Sequence, residues 1–185
     1  MAPGSRWIYD EGDQRVEVTV TDETRTILGI EARVVHDVVT EDGELVEDTY
    51  DWYAQDDDGN VWYLGEDTKE YEGGQVKTTE GSWEAGVDGA QPGVIVPAEP
   101  IVGLAYRQEH YAGHAEDRGK ILALDGQAAV PFRSFEGVLV TEDTTPLEPD
   151  LVERKYYARG IGPVLAVTVA GGSGREELVS FERGR

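Results

Sequence analysis

Cysteine is absent from the 185 residues, methionine occurs once, and lysine and arginine together number 16 against 38 acidic residues, for a net charge of −22. No cysteine means no disulfide, no thiolate zinc site and no thiol nucleophile. A surface this negative repels phosphate almost everywhere, which excludes nucleic acid as a partner. No segment approaches the roughly 20 consecutive apolar residues of a membrane-crossing helix. The opening Met1-Ala2-Pro3-Gly4-Ser5-Arg6 lacks the apolar core of a signal peptide, and Trp7-Ile8-Tyr9 already reads as domain sequence. Helical periodicity is missing too; the best short candidate is His114–Leu124, which Gly119 weakens. The Gly-x-Ser-x-Gly, Gly-x-x-x-x-Gly-Lys and His-Glu-x-x-His signatures do not occur.

What the chain has is period-two alternation. Val16, Val18 and Val20 point one way while Arg15, Glu17, Thr19 and Thr21 point the other, as in a half-buried strand. Thr21-Asp22-Glu23-Thr24 has turn chemistry, so the chain is expected to return through a second strand over Arg25–Thr40. Glu41-Asp42-Gly43 reverses it, Glu44–Gln55 makes a third strand, and Asp57-Asp58-Gly59-Asn60 is the strongest hairpin signal in the sequence. Val61–Tyr71 returns from it, and Glu72-Gly73-Gly74 turns again. Residues 84–103 carry Gly86, Gly89, Pro92, Gly93, Pro97, Pro100 and Gly103 and predict a long loop, with one short strand at Val94-Ile95-Val96. Strand patterns resume at Leu104–Ala112, Lys120–Leu124, Glu136–Thr141, Leu151–Ala158, Val164–Val169 and Glu176–Phe181.

About ten sequential strands with tight turns predict an all-β fold, an antiparallel meander closed into a barrel or half barrel, with a β-sandwich as the alternative. A chain of this length buries roughly 70% of its extended surface, enough for a single all-β domain over residues 1–185. The acidity is uneven: Glu41 to Glu72 holds 13 acids and one base, Lys69. The same window holds Tyr50, Trp52, Tyr53, Trp62, Tyr63 and Tyr71, too much ring surface for a disordered acidic tract, so it reads as an ordered, solvated acidic face.

Three groups of residues could carry chemistry. Asp56, Asp58 and Asn60 offer alternate oxygens on a glycine turn, the donor type that calcium needs, although a hairpin tip explains them without a metal. His36, His110 and His114 would bind zinc, copper or iron if the barrel brought them together, with Glu109, Glu116 or Asp117 as a further partner; each could equally be a hydrogen-bonded histidine with no ligand. Trp52, Trp62, Trp83, Tyr106 and Tyr111 are either core or a stacking pocket for a small molecule or lipid. Whether Trp52 and Trp62 share a face depends on the hairpin loop: two residues put Trp62 opposite Gln55, and three put it opposite Ala54 on the side of Trp52.

The segments Asp51–Asp67, Gly81–Gly89 and Lys155–Gly162 resemble a group of poorly characterised bacterial exported or lipoprotein-type domains. The last of them is also similar to lipoprotein-carrier-like half barrels, in which a curved sheet shelters acyl chains. The resemblance implies a non-enzymatic binding domain of the bacterial envelope or secreted fraction, taking a small hydrophobic ligand or a divalent metal. The alternative is a metal-dependent enzyme with a histidine-centred site inside the barrel.

Overall fold

Alternating valine, threonine and tyrosine residues favour extended backbone, and the chain makes little else. A computed structural model describes every residue from Met1 to Arg185 and contains no α-helix, hence none long and apolar enough to cross a membrane. Strands β1 (Arg6–Glu11), β2 (Gln14–Ile27), β3 (Ile30–Glu41), β4 (Glu44–Gln55) and β5 (Val61–Glu72) form an antiparallel meander. Three short strands, β6 (Gln75–Thr78), β7 (Trp83–Glu84) and β8 (Gly93–Val96), pair along the outer side of β5. A second meander runs through β9 (Ala105–Arg107), β10 (Arg118–Ala129), β11 (Ser134–Thr145), β12 (Glu148–Ala158), β13 (Gly162–Ala170) and β14 (Arg175–Glu182). Pairing of β1 with β14 joins the two meanders into one sheet of 14 strands.

The all-β antiparallel meander is as the alternation implies, but the ladder does not close into a barrel. At the seam, β8 stands against the segment after β9, where one isolated bridge has Gln91 N donating to His110 O at 3.0 Å. Gly93 makes this approach possible, since a Cβ there would lie 2.1 Å from Gln108 O. Gly65 does the same for β7: its φ of 133° and a Cβ position 2.2 Å from Trp83 O admit glycine alone. The result is a curled, open sheet with two apolar clusters, one around Tyr9, Val16, Val164 and Leu178, the other around Ile27, Leu64, Tyr63 and Trp83.

Three local expectations change. The polar stretch Thr21–Thr24 is not a turn: β2 runs straight through it as a bulge, in which residues 21–23 oppose Val34 alone and Arg33 donates to the Asp22 and Glu23 carbonyls. The reversal comes at Leu28-Gly29, with Leu28 at φ 51°. His114–Leu124 is not helical, because His114 lies in a tight reversal between Tyr111 and Ala115 and residues from Arg118 on enter β10. Leu104–Ala112 contributes only the three-residue β9 before leaving the ladder.

Candidate functional site

In antiparallel pairs, residues directly opposite one another point to the same side of the sheet. On β3, Asp37 stands between Val18 of β2 and Thr49 of β4, and on β4 Asp51 stands opposite Glu66 of β5. In the other meander, Thr141 of β11 is opposite Lys155 of β12, which is opposite Ala166 of β13, which is opposite Glu176 of β14. The two rows face each other. The Asp37 carboxylate feels that of Glu176 although β2 and β1 stand between their strands, and Glu109, beyond β9, feels Lys155 while acting on Glu66. The sheet therefore curls with this row on its concave side.

The concave face is mixed: Val16, Val18, Val35, Val39 and Leu178 share it with a set of hydrogen-bonded polar groups. Tyr63 donates its hydroxyl proton to Asp51 Oδ1 at 2.6 Å, and the Thr49 and Thr68 hydroxyls meet at 2.6 Å. Asp143 accepts from the Thr141 hydroxyl at 2.6 Å and from Gln108 Nε2 at 3.1 Å, and lies 3.4 Å from Lys155 Nζ. Lys155 is surrounded by Asp143, Tyr157, Glu153 and Asp117, yet 31% of its side chain remains accessible. A group enclosed on several sides and still open to water marks a hollow on the concave side. Glu176 feels the Glu11 carboxylate, and Glu11 lines an open recess of about 620 Å³ at the end of the sheet, bounded by the β1–β2 and β13–β14 turns and lined by no apolar side chain.

Crowding carboxylates in partly buried positions penalises their charge. Burial, opposed by hydrogen bonds from Tyr63 and Tyr53, pushes Asp51 up to about 6. Burial together with Asp51 and Glu109 raises Glu66 to about 9. Burial and Asp117 raise Glu109 to about 7; burial, relieved in part by Lys155, raises Glu176 to about 7. Asp37 is driven well above the usual carboxylate range by burial and by Asp51, Glu176 and Glu47. Burial also works against the Lys155 charge, but Asp143, Tyr157, Glu153 and Asp117 outweigh it and hold the ammonium firmly protonated.

The candidate residues read from the sequence scatter around this hollow. The three histidines do not converge. His36 lies on the opposite side of β3 from Asp37, stacked on Tyr50 at 4.3 Å with Nε2 2.6 Å from Asp48 Oδ1. His110 uses its backbone at the seam, and His114 stacks on Tyr111 at 4.3 Å. The pattern misled because Gly113 lets the chain turn back on itself, so the spacing of His110 and His114 is not that of a strand. No group of three or more His, Asp or Glu side chains is placed to hold a metal ion.

At the acidic hairpin, Asp56 is consumed by the turn. Its oxygens accept from the Gly59 and Asn60 backbone N–H groups, from Asn60 Nδ2 and from Trp62 Nε1, each at 2.8 Å, while Asn60 Oδ1 accepts from Ala98 N at 2.8 Å. These bonds, Trp62 first, hold Asp56 down at about 2. Asp58 is exposed at the tip. Asp56→Ala should therefore lower the melting temperature by several degrees, and calcium should shift the melting of neither protein; a calcium-dependent shift in the parent that the variant loses would restore a cation site here.

The five rings divide. Trp62 opposite Ala54 shares a face with Trp52, across a five-residue loop longer than the two or three residues expected. Both turn away from the Asp51 row, and the Arg25 guanidinium covers the Trp52 ring at 4.1 Å. Tyr111 sits with His114. Trp83 and Tyr106 do face the hollow: Trp83 meets Tyr63 edge-on at 5.4 Å, and Tyr106 lies over Gly119, next to Asp143 in register. Glu109 and Asp117, expected as partners of the histidines, line the hollow without them. Asp37, Asp51, Glu66, Asp143, Lys155 and Glu176 have no motif; the available signal was acids sharing a strand face with valines, as Asp37 does with Val35 and Val39. No family model matches this chain, and neither does any curated protein sequence or solved structure.

Proposed function

We propose that the chain is a non-enzymatic binding domain whose ligand is a small polar molecule held in the hollow of the curled sheet. The observation that carries this reading is the row of partly buried carboxylates on the concave face, from Asp37 and Asp51 through Glu66 to Glu176. Burying charge there works against folding, since apolar residues at the same positions would add stability. Residues that weaken a fold where they sit are common at sites kept for binding. The ligand carries polar groups because, beside its valines, the wall sets carboxylates, phenols and threonine hydroxyls, among them Asp51, Tyr63 and Thr49. Placement in the bacterial envelope or secreted fraction is supported by the sequence resemblance.

Isosteric neutralisation tests it. Asp51→Asn and Glu66→Gln should each raise the melting temperature at pH 8 by several degrees: the first removes a charge the hollow disfavours while keeping an acceptor for Tyr63, and the second removes the cost of holding a proton on Glu66. If both variants melt lower than the parent, the carboxylates hold the fold together and the binding reading fails.

A further inference from the structure

The two halves of the hollow are not electrically alike. On the side of β11, β12 and β14, Lys155 supplies an ammonium to Asp143, Asp117, Glu153 and Glu176. On the side of β3, β4 and β5 the acids stand without one: no ion pair of the structure involves Asp37, Asp51 or Glu66. Two buried atoms in this half also lack partners. Asp37 Oδ1 is an acceptor with no donor, and the indole N–H of Trp83, whose side chain is 4% exposed, is a donor that completes no hydrogen bond. Buried polar atoms left in this state weaken the fold unless something pairs with them, so each asks for a partner.

Resting on the reading of the hollow as a binding site, we infer that the half farther from Lys155, between β3, β4 and β5 with Glu109 at its border, binds a small organic ammonium ion such as an alkyl diamine. An ammonium carries N–H donors, which Asp37 Oδ1 lacks, and its charge would let Glu66 and Glu109 ionise. An ionised Glu109 is in turn the acceptor toward which the Trp83 N–H is turned. The rings suit the same guest: Tyr53 and Tyr63 stack at 4.7 Å beside Trp83, and aromatic faces attract ammonium groups. A compact metal ion fits poorly, because calcium needs six to eight oxygens within about 2.6 Å and these carboxylates are spread along the wall of the hollow. An elongated cation reaches several of them in turn. Lys155 is the internal precedent, an ammonium on an alkyl stem already held by the opposite wall.

The test is calorimetric titration of the full chain at pH 8 with putrescine, with butanediol as the uncharged match and calcium as the compact dication. Putrescine should bind saturably and release protons, seen as an apparent enthalpy that changes with the ionisation heat of the buffer. Butanediol and calcium should give no saturable heat. Asp51→Asn and Glu66→Gln should each weaken putrescine by about tenfold or more, while Asp125→Asn, on an exposed stretch of β10, should leave it unchanged. Absence of saturable putrescine binding overturns the inference, as does equal binding of calcium or equal weakening by Asp125→Asn, which would mark a diffuse response to net charge. If the neutralised variants melt higher but putrescine does not bind, the ligand class is wrong and the hollow still stands as a site. If they melt lower, the binding reading falls and the inference with it.

Discussion

Raising the pH from about 5 to about 9 should lower the melting temperature of this protein by about 10 °C or more, the reverse of the usual acid sensitivity of folded proteins. An unfolded Asp or Glu gives up its proton near pH 4. In the folded chain Asp51 keeps it to about 6, Glu109 and Glu176 to about 7 and Glu66 to about 9, with Asp37 and Asp117 also raised. Between these limits the folded state binds more protons than the unfolded one, so stability falls as pH rises. The contribution is fully present below about pH 4 and lost above about pH 9. A tenfold gain in proton affinity on folding is worth about 1.4 kcal/mol, and the groups share one space and are not additive, so several kcal/mol is the scale. Asp56 runs the other way, since its lowered value stabilises the fold until the pH falls through about 2. Thermal melts across the range decide the matter; a melting temperature that is flat or rises toward pH 9 would mean that the interior carboxylates are solvated.

Lys155→Met should be the most damaging single substitution in the hollow at neutral pH. Asp143 is 6% accessible, and the Lys155 ammonium at 3.4 Å is its ion-pair partner. Removing one member of a buried pair strands the other; the loss should be about 2–3 kcal/mol, below the full buried-pair value because the lysine retains some access to water. The signature is its pH dependence. At pH 5 the surrounding acids can take up protons and the loss should shrink, whereas at pH 8 it should be full. Urea midpoints of parent and variant at both pH values provide the measurement, and an equal loss at the two would point to lost packing of the lysine stem instead.

The strands and most turns were legible because they rest on local chemistry. Asp42-Gly43, the Gly59 hairpin and Gly73-Gly74 all sit where the backbone adopts positive φ. The β2 bulge was not, because Thr21-Asp22-Glu23-Thr24 suits a turn and a bulge equally well and only the partner strand chooses. The site was hidden for a different reason. Alternation tells which residues share a face and is silent on which face turns inward. On β4, Glu47, Thr49 and Asp51 alternate with Asp48, Tyr50 and Trp52, and hydropathy assigns the acids to water; in the curled sheet it is they that face the hollow, while Trp52 packs on the other side beneath Arg25. On β12 neither Glu153, Lys155 and Tyr157 nor Val152, Arg154 and Tyr156 is plainly a core face. Carboxylates placed inward by long-range closure leave no spacing to read.

The pairing of β1 with β14 sets an order of assembly. Each meander is built from sequential neighbours and can form as it leaves the ribosome, but β1 has a free hydrogen-bonding edge until Arg175–Glu182 have been made. Until then Asp37 has no Glu176 opposite it. Docking of the last strand brings Glu176 up to Asp37 and adds to the proton affinity of Asp37, so completion of folding is itself a proton-uptake event.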